Sequence, residues 1–254
     1  MIESIFIFIL GLFIGSFLGV VVDRTQNKKS FIKGRSQCEF CKKNLSFFDL
    51  IPVFSFIFLR GKCRYCGTKL SLFYPTIEIL TGVVFALTYI LFSFQLIYYL
   101  LIFSIFIILF FQDLKYGVLS DRLIVILVFV TLFYLFLFQR QEFINHLLTG
   151  VISFIFFVLI SLAFYVLTKK QGMGGGDIKI SFLLGLILGF PNVIVCFYLA
   201  FLTGALASII LVLWKKKDYL KDSLPFGPFL IGATIISLFW GNYIYSLALN
   251  LLGI

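Results

Sequence analysis

Eleven carboxylates and one histidine are the whole supply of such groups in 254 residues, so each can be weighed by its position. Asp113 closes an apolar run as Phe110-Phe111-Gln112-Asp113-Leu114-Lys115, and Asp177 follows Gly172-Met173-Gly174-Gly175-Gly176 at the head of another. A carboxylate in such a place costs several kcal/mol unless it has a partner or a watered cavity, which points to function. Two carboxylates held close cannot both ionise easily and share a proton, so one takes a proton from water while the other gives one to a carbonyl oxygen. That chemistry is hydrolysis without a covalent intermediate. The pair titrates as a unit, and the sequence leaves base and acid unassigned. Gly174, Gly175 and Gly176, with Lys179 just beyond, are the candidates for close approach, because glycines remove side chains where an extended substrate or a second backbone must come near.

Four of the five cysteines form Cys38-Glu39-Phe40-Cys41 and Cys63-Arg64-Tyr65-Cys66. Each CxxC turns the chain back through a knuckle that offers two thiolates, and two knuckles complete a tetrahedral site of Cys38, Cys41, Cys63 and Cys66. Gly61 and Gly67 flank the second pair and suit such a turn. Structural zinc is favoured over a disulfide or redox role because the charge pattern places this segment in the reducing cytoplasm. A closed site of this kind serves folding and keeps no open position for catalysis. Cys196 stands alone and reads as a small buried apolar residue.

The elements that must position these groups are membrane helices. Hydrophobic residues make up 61% of the chain against 13% charged, with 35 Phe and a mean hydropathy of +1.11, too little polar surface for a soluble domain. A hydrocarbon core of about 30 Å needs about 20 apolar residues as helix. Eight runs qualify: 4–22, 76–93, 95–111, 123–138, 147–167, 179–190, 193–214 and 226–252. The sixth is short and stops at Pro191-Asn192, which leaves seven as the alternative count. The expected fold is an all-α polytopic membrane protein of about eight transmembrane helices, with a cytoplasmic cysteine-rich insertion between the first and second. The domains are then 1–22, the first helix; 23–75, the insertion; and 76–254, the remaining membrane helices.

The net charge of +10 does not call for a nucleic-acid partner. Connections after odd-numbered helices hold 11, 2, 3 and 4 Lys and Arg, 20 of the 21 in the chain, and the other side holds only Arg140. The positive-inside rule puts those connections in the cytoplasm and both termini outside. Asp113 and Asp177 then share the cytoplasmic face. The lone His146 falls outside, so neither a Ser-His nor a Cys-His arrangement forms beside them, and a catalytic zinc lacks its usual ligands. Residues 45–59 are apolar apart from Ser46, Asp49 and Ser55 and contain Pro52; they are too few to cross and read as a surface or re-entrant segment.

Together these motifs resemble the bacterial type IV prepilin peptidases, membrane aspartic proteases of the GxGD kind. The resemblance runs from Gly15-Ser16-Phe17-Leu18 through both CxxC pairs, Asp49-Leu50-Ile51-Pro52-Val53, Gly61-Lys62-Cys63, Tyr74-Pro75 and Glu78. It continues at Asp113, at Gly174-Gly175-Gly176-Asp177-Ile178-Lys179 and at Pro225-Phe226-Gly227-Pro228-Phe229. It implies an inner-membrane enzyme with Asp113 and Asp177 as catalytic acids, cleaving the basic leader of prepilins or pseudopilins after Gly at the cytoplasmic face. It also implies N-methylation of the new N-terminus with S-adenosylmethionine, and service to pili, protein secretion or competence. Ser120 stands before Asp121 where the family is expected to have Pro, which makes the turn after Asp113 less rigid; Asp121 itself reads as a cap of the fourth span and not as a third catalytic acid. A face with 20 cations repels a basic leader, which makes Asp49 and Glu78, or anionic lipid, the candidates for its recognition. The alternative is an ion-coupled transporter using Asp113 and Asp177 as an ion site, with depth in the membrane as the discriminating feature.

Overall fold

The computed structural model describes residues 2–26, 35–38, 40–169, 172–214 and 224–252. Several cations used in the topology count, among them Lys170 and those of 27–34 and 215–223, lie outside the described residues. The described elements are helical: α1 (Ile2–Gln26), α2 (Phe54–Phe58), α3 (Phe73–Leu91), α4 (Leu96–Tyr116), α5 (Asp121–Phe138), α6 (Phe143–Thr168), α7 (Gly175–Leu188), α8 (Asn192–Leu213) and α9 (Gly227–Leu252). Among the described residues seven helices are long and apolar enough to cross a membrane. The predicted sixth span is shorter: α7 has 14 residues and rises only about 21 Å, yet it returns the chain to the beginning of α6, where Asn145 bonds Phe190, so the number of passes stays even. The chain is therefore an all-α, multi-pass membrane protein with its cysteine-rich insertion between α1 and α3. It divides into two compact units, residues 1–111 and 112–254, with α4 carrying the chain from one into the other.

In the first unit α1 and α3 pack antiparallel along a stripe of glycines at every fourth position, Gly11, Gly15 and Gly19. A Cβ at Gly11 would stand 2.7 Å from Gly82 Cα, and one at Gly15 would stand 2.8 Å from Glu78 Cα. Only glycine permits that approach, which membrane helices use in place of a hydrophobic driving force. The pair is tied at both ends: the Tyr89 hydroxyl donates to Glu3, and the Tyr74 hydroxyl donates to Asp23 at 2.8 Å.

In the second unit α6 packs on α7 and α8 on α9. The α6–α7 register is set by small residues, since a Cβ at Gly185 would meet Ser153 Oγ at 2.6 Å and one at Gly150 would meet the Phe182 carbonyl at 3.0 Å. At the far end of α7, His146 Nδ1 lies 2.8 Å from the Leu186 carbonyl, and Asn145 donates to the Phe190 carbonyl at 3.3 Å. Cys196 is fully buried between α8 and α9, its sulfur 3.3 Å from Thr234 Oγ1, as a small core residue should be.

Candidate functional site

Asp177 is the third residue of α7, whose N-cap is Gly174. Its carboxylate accepts the Gly174 N–H, the half of a capping box in which an acidic residue in the first turn reaches back to the cap. Helix N-termini favour negative charge, so the glycine run builds a seat for this carboxylate. The sequence reading began this helix at Lys179; the structure begins it at Gly175, because the carboxylate–Gly174 contact closes the first turn earlier. The glycines differ in surroundings. A Cβ at Gly174 would lie 3.3 Å from Asp177 Oδ2, one at Gly176 would lie 3.1 Å from Leu119, and one at Gly175 would meet nothing within 4 Å.

Asp113 lies in the last turn of α4, which Gly117 ends in the left-handed conformation at φ +65° while donating its N–H to the Asp113 carbonyl at 2.8 Å. The Asp113 carboxylate accepts the N–H of Gly227, at the start of α9. A Cβ at Gly227 would stand 2.5 Å from Asp113 Oδ2 and 3.3 Å from Leu119. Leu119 thus touches the backbone beside each aspartate, and the Asp113 charge acts on Asp177. Both residues are buried, at 5% and 8% exposure, and Asp113 Oδ2 has no hydrogen-bond partner among the described residues. Gln112 was not singled out from the sequence; it is fully buried, and neither Oε1 nor Nε2 of its amide has such a partner. The signal was present as a lone amide in an apolar run. Lys179 lies 2.7 Å from Asp121 and links α7 to α5, while Ser120 takes the cap position expected of Asp121.

Both aspartates lie at helix ends, and α6 runs on beyond them. Ser181 sits beside Ser153 of α6, and one more turn down α7 brings Asp177 level with Phe157. Phe157 also packs on Phe226, beside Gly227, at 6.5 Å between ring centroids. The last eleven residues of α6, 158–168, therefore overhang the aspartates by about 16 Å and are largely exposed. The cause is residues 172–174, which return along α6 before α7 begins; a Cβ at Gly172 would lie within the Phe164 ring.

In the first unit Cys38, Cys41, Cys63 and Cys66 converge, with sulfurs within 4.8 Å of one another, so the four can hold one metal ion. The knuckles repeat each other. Cys38 donates its N–H to the Lys43 carbonyl and Cys63 to that of Thr68, while Lys42 and Gly67 each follow the second cysteine at positive φ, 56° and 69°. Hydrogen bonds with Thr68 bring the Cys66 thiol down to about 6. At Cys41 a backbone hydrogen bond from Lys43 is outweighed by burial and the neighbouring Cys38 and Cys66, which push that thiol up to about 11, so the convergence of the four sulfurs and not their acidity is what marks a metal site. Asp49 and Glu78 are both engaged within this unit. Asp49 accepts from Ser46 N and Oγ at 3.0 and 2.8 Å and from Arg64 Nε at 2.7 Å. Burial raises the Asp49 carboxyl, but the Ser46 hydrogen bonds and the Arg64 guanidinium outweigh it and hold the group below the usual carboxylate range. Glu78 accepts the Val53 N–H at 2.7 Å and bonds Ser16.

Comparison with known proteins agrees with this layout. The Bacterial Peptidase A24 N-terminal domain matches residues 9–92, and the Type IV leader peptidase family matches residues 100–209. A Prepilin leader peptidase/N-methyltransferase of Bacillus subtilis is 30% identical over 242 residues, covering 94% of this chain and 95% of the relative. Proteins of the same name from Myxococcus xanthus (29% over 212 residues, 83% and 63% covered) and Pseudomonas putida (28% over 275 residues, 96% and 93%) are similar. No solved structure matches the chain. The chain is an enzyme of the type IV leader peptidase family, the prepilin leader peptidase/N-methyltransferases.

Proposed function

We propose that this protein is an aspartic endopeptidase that removes the basic leader of type IV prepilins or pseudopilins after Gly at the cytoplasmic face of the inner membrane, with both of its own termini outside. It then N-methylates the exposed residue with S-adenosylmethionine. The observation that carries the peptidase reading is the buried pair Asp113 and Asp177, with Asp113 Oδ2 left without a partner in a site that glycines keep open. One aspartate takes a proton from water as the oxygen attacks the scissile carbonyl, and the other protonates the carbonyl oxygen. Collapse of the tetrahedral species breaks the C–N bond, and a proton passes to the leaving amine. Gly175, open on its side-chain face, admits the extended substrate, and the Gln112 amide is available to the water or to a peptide group. Cys38, Cys41, Cys63 and Cys66 would hold a zinc ion that, with all four positions filled by thiolates, would keep the insertion in shape and take no part in the chemistry. Phe47, Phe48, Phe54 and Phe58, all strongly exposed, rest in the lipid interface. Asp49 and Glu78 are proposed for leader recognition through the insertion that they organise.

The test is co-expression with a prepilin tagged on its leader. Asp113→Asn and Asp177→Asn keep the volume but cannot exchange the proton, so each abolishes leader release while the protein stays in the membrane. Cleavage retained by either variant refutes the dyad. The mass of the mature N-terminus reports methylation, and metal analysis of wild type against Cys38→Ser and Cys66→Ser reports zinc.

A further inference from the structure

The four residues 117–120 join the helix of Asp113 to α5, and both ends of this connection are fastened to the helices that carry the aspartates. At one end Gly117 donates its N–H to the Asp113 carbonyl at 2.8 Å. At the other, Asp121 accepts from Lys179 Nζ at 2.7 Å, two residues beyond Asp177 on α7. Between these anchors Ser120 is extended, at φ −75° and ψ 110°. A short connection fixed at both ends gives the side chain of Leu119 a set position.

That position is between the backbone supports of the two aspartates. Leu119 Cδ1 would lie 3.1 Å from a Cβ at Gly176, the residue before Asp177, and 3.3 Å from one at Gly227, whose N–H bonds the Asp113 carboxylate. Ordinary contact begins at 3.4 Å, so one methyl group borders both glycines and leaves neither of them room for another. Among the atoms nearest to these two positions, those of Leu119 are the ones common to both.

The substrate must enter the same space. Hydrolysis by the pair requires the scissile carbonyl carbon to stand between the two carboxylates. That carbon belongs to the residue before the cut, and a Cβ on that residue would be only two bonds away, about 2.5 Å. A group so close to the reacting carbon cannot avoid what borders both aspartates, and what borders them is Leu119. Glycine alone brings no Cβ.

We infer that Leu119 is the residue that restricts the substrate to glycine before the scissile bond, by walling off the place a Cβ would take. The inference rests on the peptidase reading above and deepens it by naming what enforces the glycine. Leu119 acts by exclusion and moves no proton. The substrate's glycine then joins Gly176 and Gly227 as a third residue kept bare by one side chain.

The test uses purified full-length protein in detergent and two tagged prepilins that differ only in the residue before the cut, glycine or alanine. The readout is the ratio of their leader-release rates. Wild type should favour glycine by roughly 10- to 200-fold, the usual worth of one methyl group against a fixed wall. Leu119→Ala and Leu119→Val, which both lack Cδ1, should each lower that ratio by about tenfold or more, through faster release from the alanine prepilin. Val118→Ala, at the exposed neighbour in the same connection, should keep it. A ratio does not depend on how much of a variant folds, and Leu119→Val decides the matter if Leu119→Ala does not fold at all. A glycine preference that survives in both Leu119 variants, or an equal fall in Val118→Ala, overturns the inference alone. So does loss of both substrates in Leu119 variants that elute as wild type, because a wall against Cβ is not needed for glycine. Equal release from both prepilins by wild type overturns cleavage after glycine, and the inference falls with it. Release that Asp113→Asn abolishes leaves the peptidase reading standing in each of these cases.

Discussion

Gly227→Ala should disable the aspartate pair without disturbing the helix that carries it. The added Cβ would stand 2.5 Å from Asp113 Oδ2, where ordinary contact begins at 3.4 Å, so the carboxylate must retreat by about 1 Å. A displacement of about 1 Å in a reacting group costs on the order of 100-fold in rate. The hydrogen bond at risk, from Gly227 N–H to the carboxylate, is of the kind worth about 1.5–3 kcal/mol, or roughly ten- to 150-fold. The two routes converge on a loss near 100-fold. Gly232→Ala in the same helix is the control, since a Cβ there meets nothing within 4 Å. The assay is the rate of leader release from a tagged prepilin by purified variants, with thermal unfolding in detergent measured alongside. Cleavage by Gly227→Ala within about twofold of wild type, or an equal loss in Gly232→Ala, would refute the reasoning.

Three further outcomes are expected. Lys42 and Gly67 hold the same left-handed position in the two knuckles, so Lys42→Gly should stabilise the insertion by about 1 kcal/mol and Gly67→Lys should cost about as much, read as resistance of the bound metal to a chelator. Gly15→Leu forces a side chain into a contact already 2.8 Å from Glu78 Cα; it should lower thermal stability by about 1–3 kcal/mol or more, and an unchanged melting profile would remove the glycine stripe from the account. Asp49 is held below the usual carboxylate range, so its contribution is present above its unfolded pKa of about 3.9 and fades as pH falls through the lower folded value. Limited proteolysis of the insertion should therefore show a loss of protection on acidification below about pH 4, a loss that Asp49→Asn no longer shows.

The aspartates were legible because carboxylates are scarce here, so two at helix ends beside a glycine run stand out from the apolar background. The cysteine knuckles were legible for a similar reason, since the CxxC spacing is itself the geometry of the turn. The packing of α6 on α7 was not. Counting cations assigns a connection to a side, but the overhang of α6 depends on which small residues meet across α6 and α7, and Gly150, Ser153 and Gly185 pair only in three dimensions. The distinction between a peptidase and a transporter, which the sequence reading rested on depth, is supplied by family membership. The partners of Asp121 and Glu78, Lys179 and the Val53 amide, were hidden because each lies 25 or more residues away in sequence. The stripe of Gly11, Gly15 and Gly19 was there to be read, its four-residue period being that of close-packed membrane helices.

The two units hold their carboxylates in opposite ways. Asp113 and Asp177 are buried beside one another, and Asp113 Oδ2 has no partner among the described residues, the setting in which two acids share a proton. In the first unit each carboxylate is given fixed donors: Asp49 has Ser46 and Arg64, Asp23 has Tyr74, and Glu78 has the Val53 amide. Those contacts brace the insertion and tie it to the helices beneath it, and the same donors placed around the buried pair would occupy the lone pairs that proton exchange needs. The first arrangement suits chemistry and the second suits holding a fold, which is a physical reason for the chain to keep them in separate units.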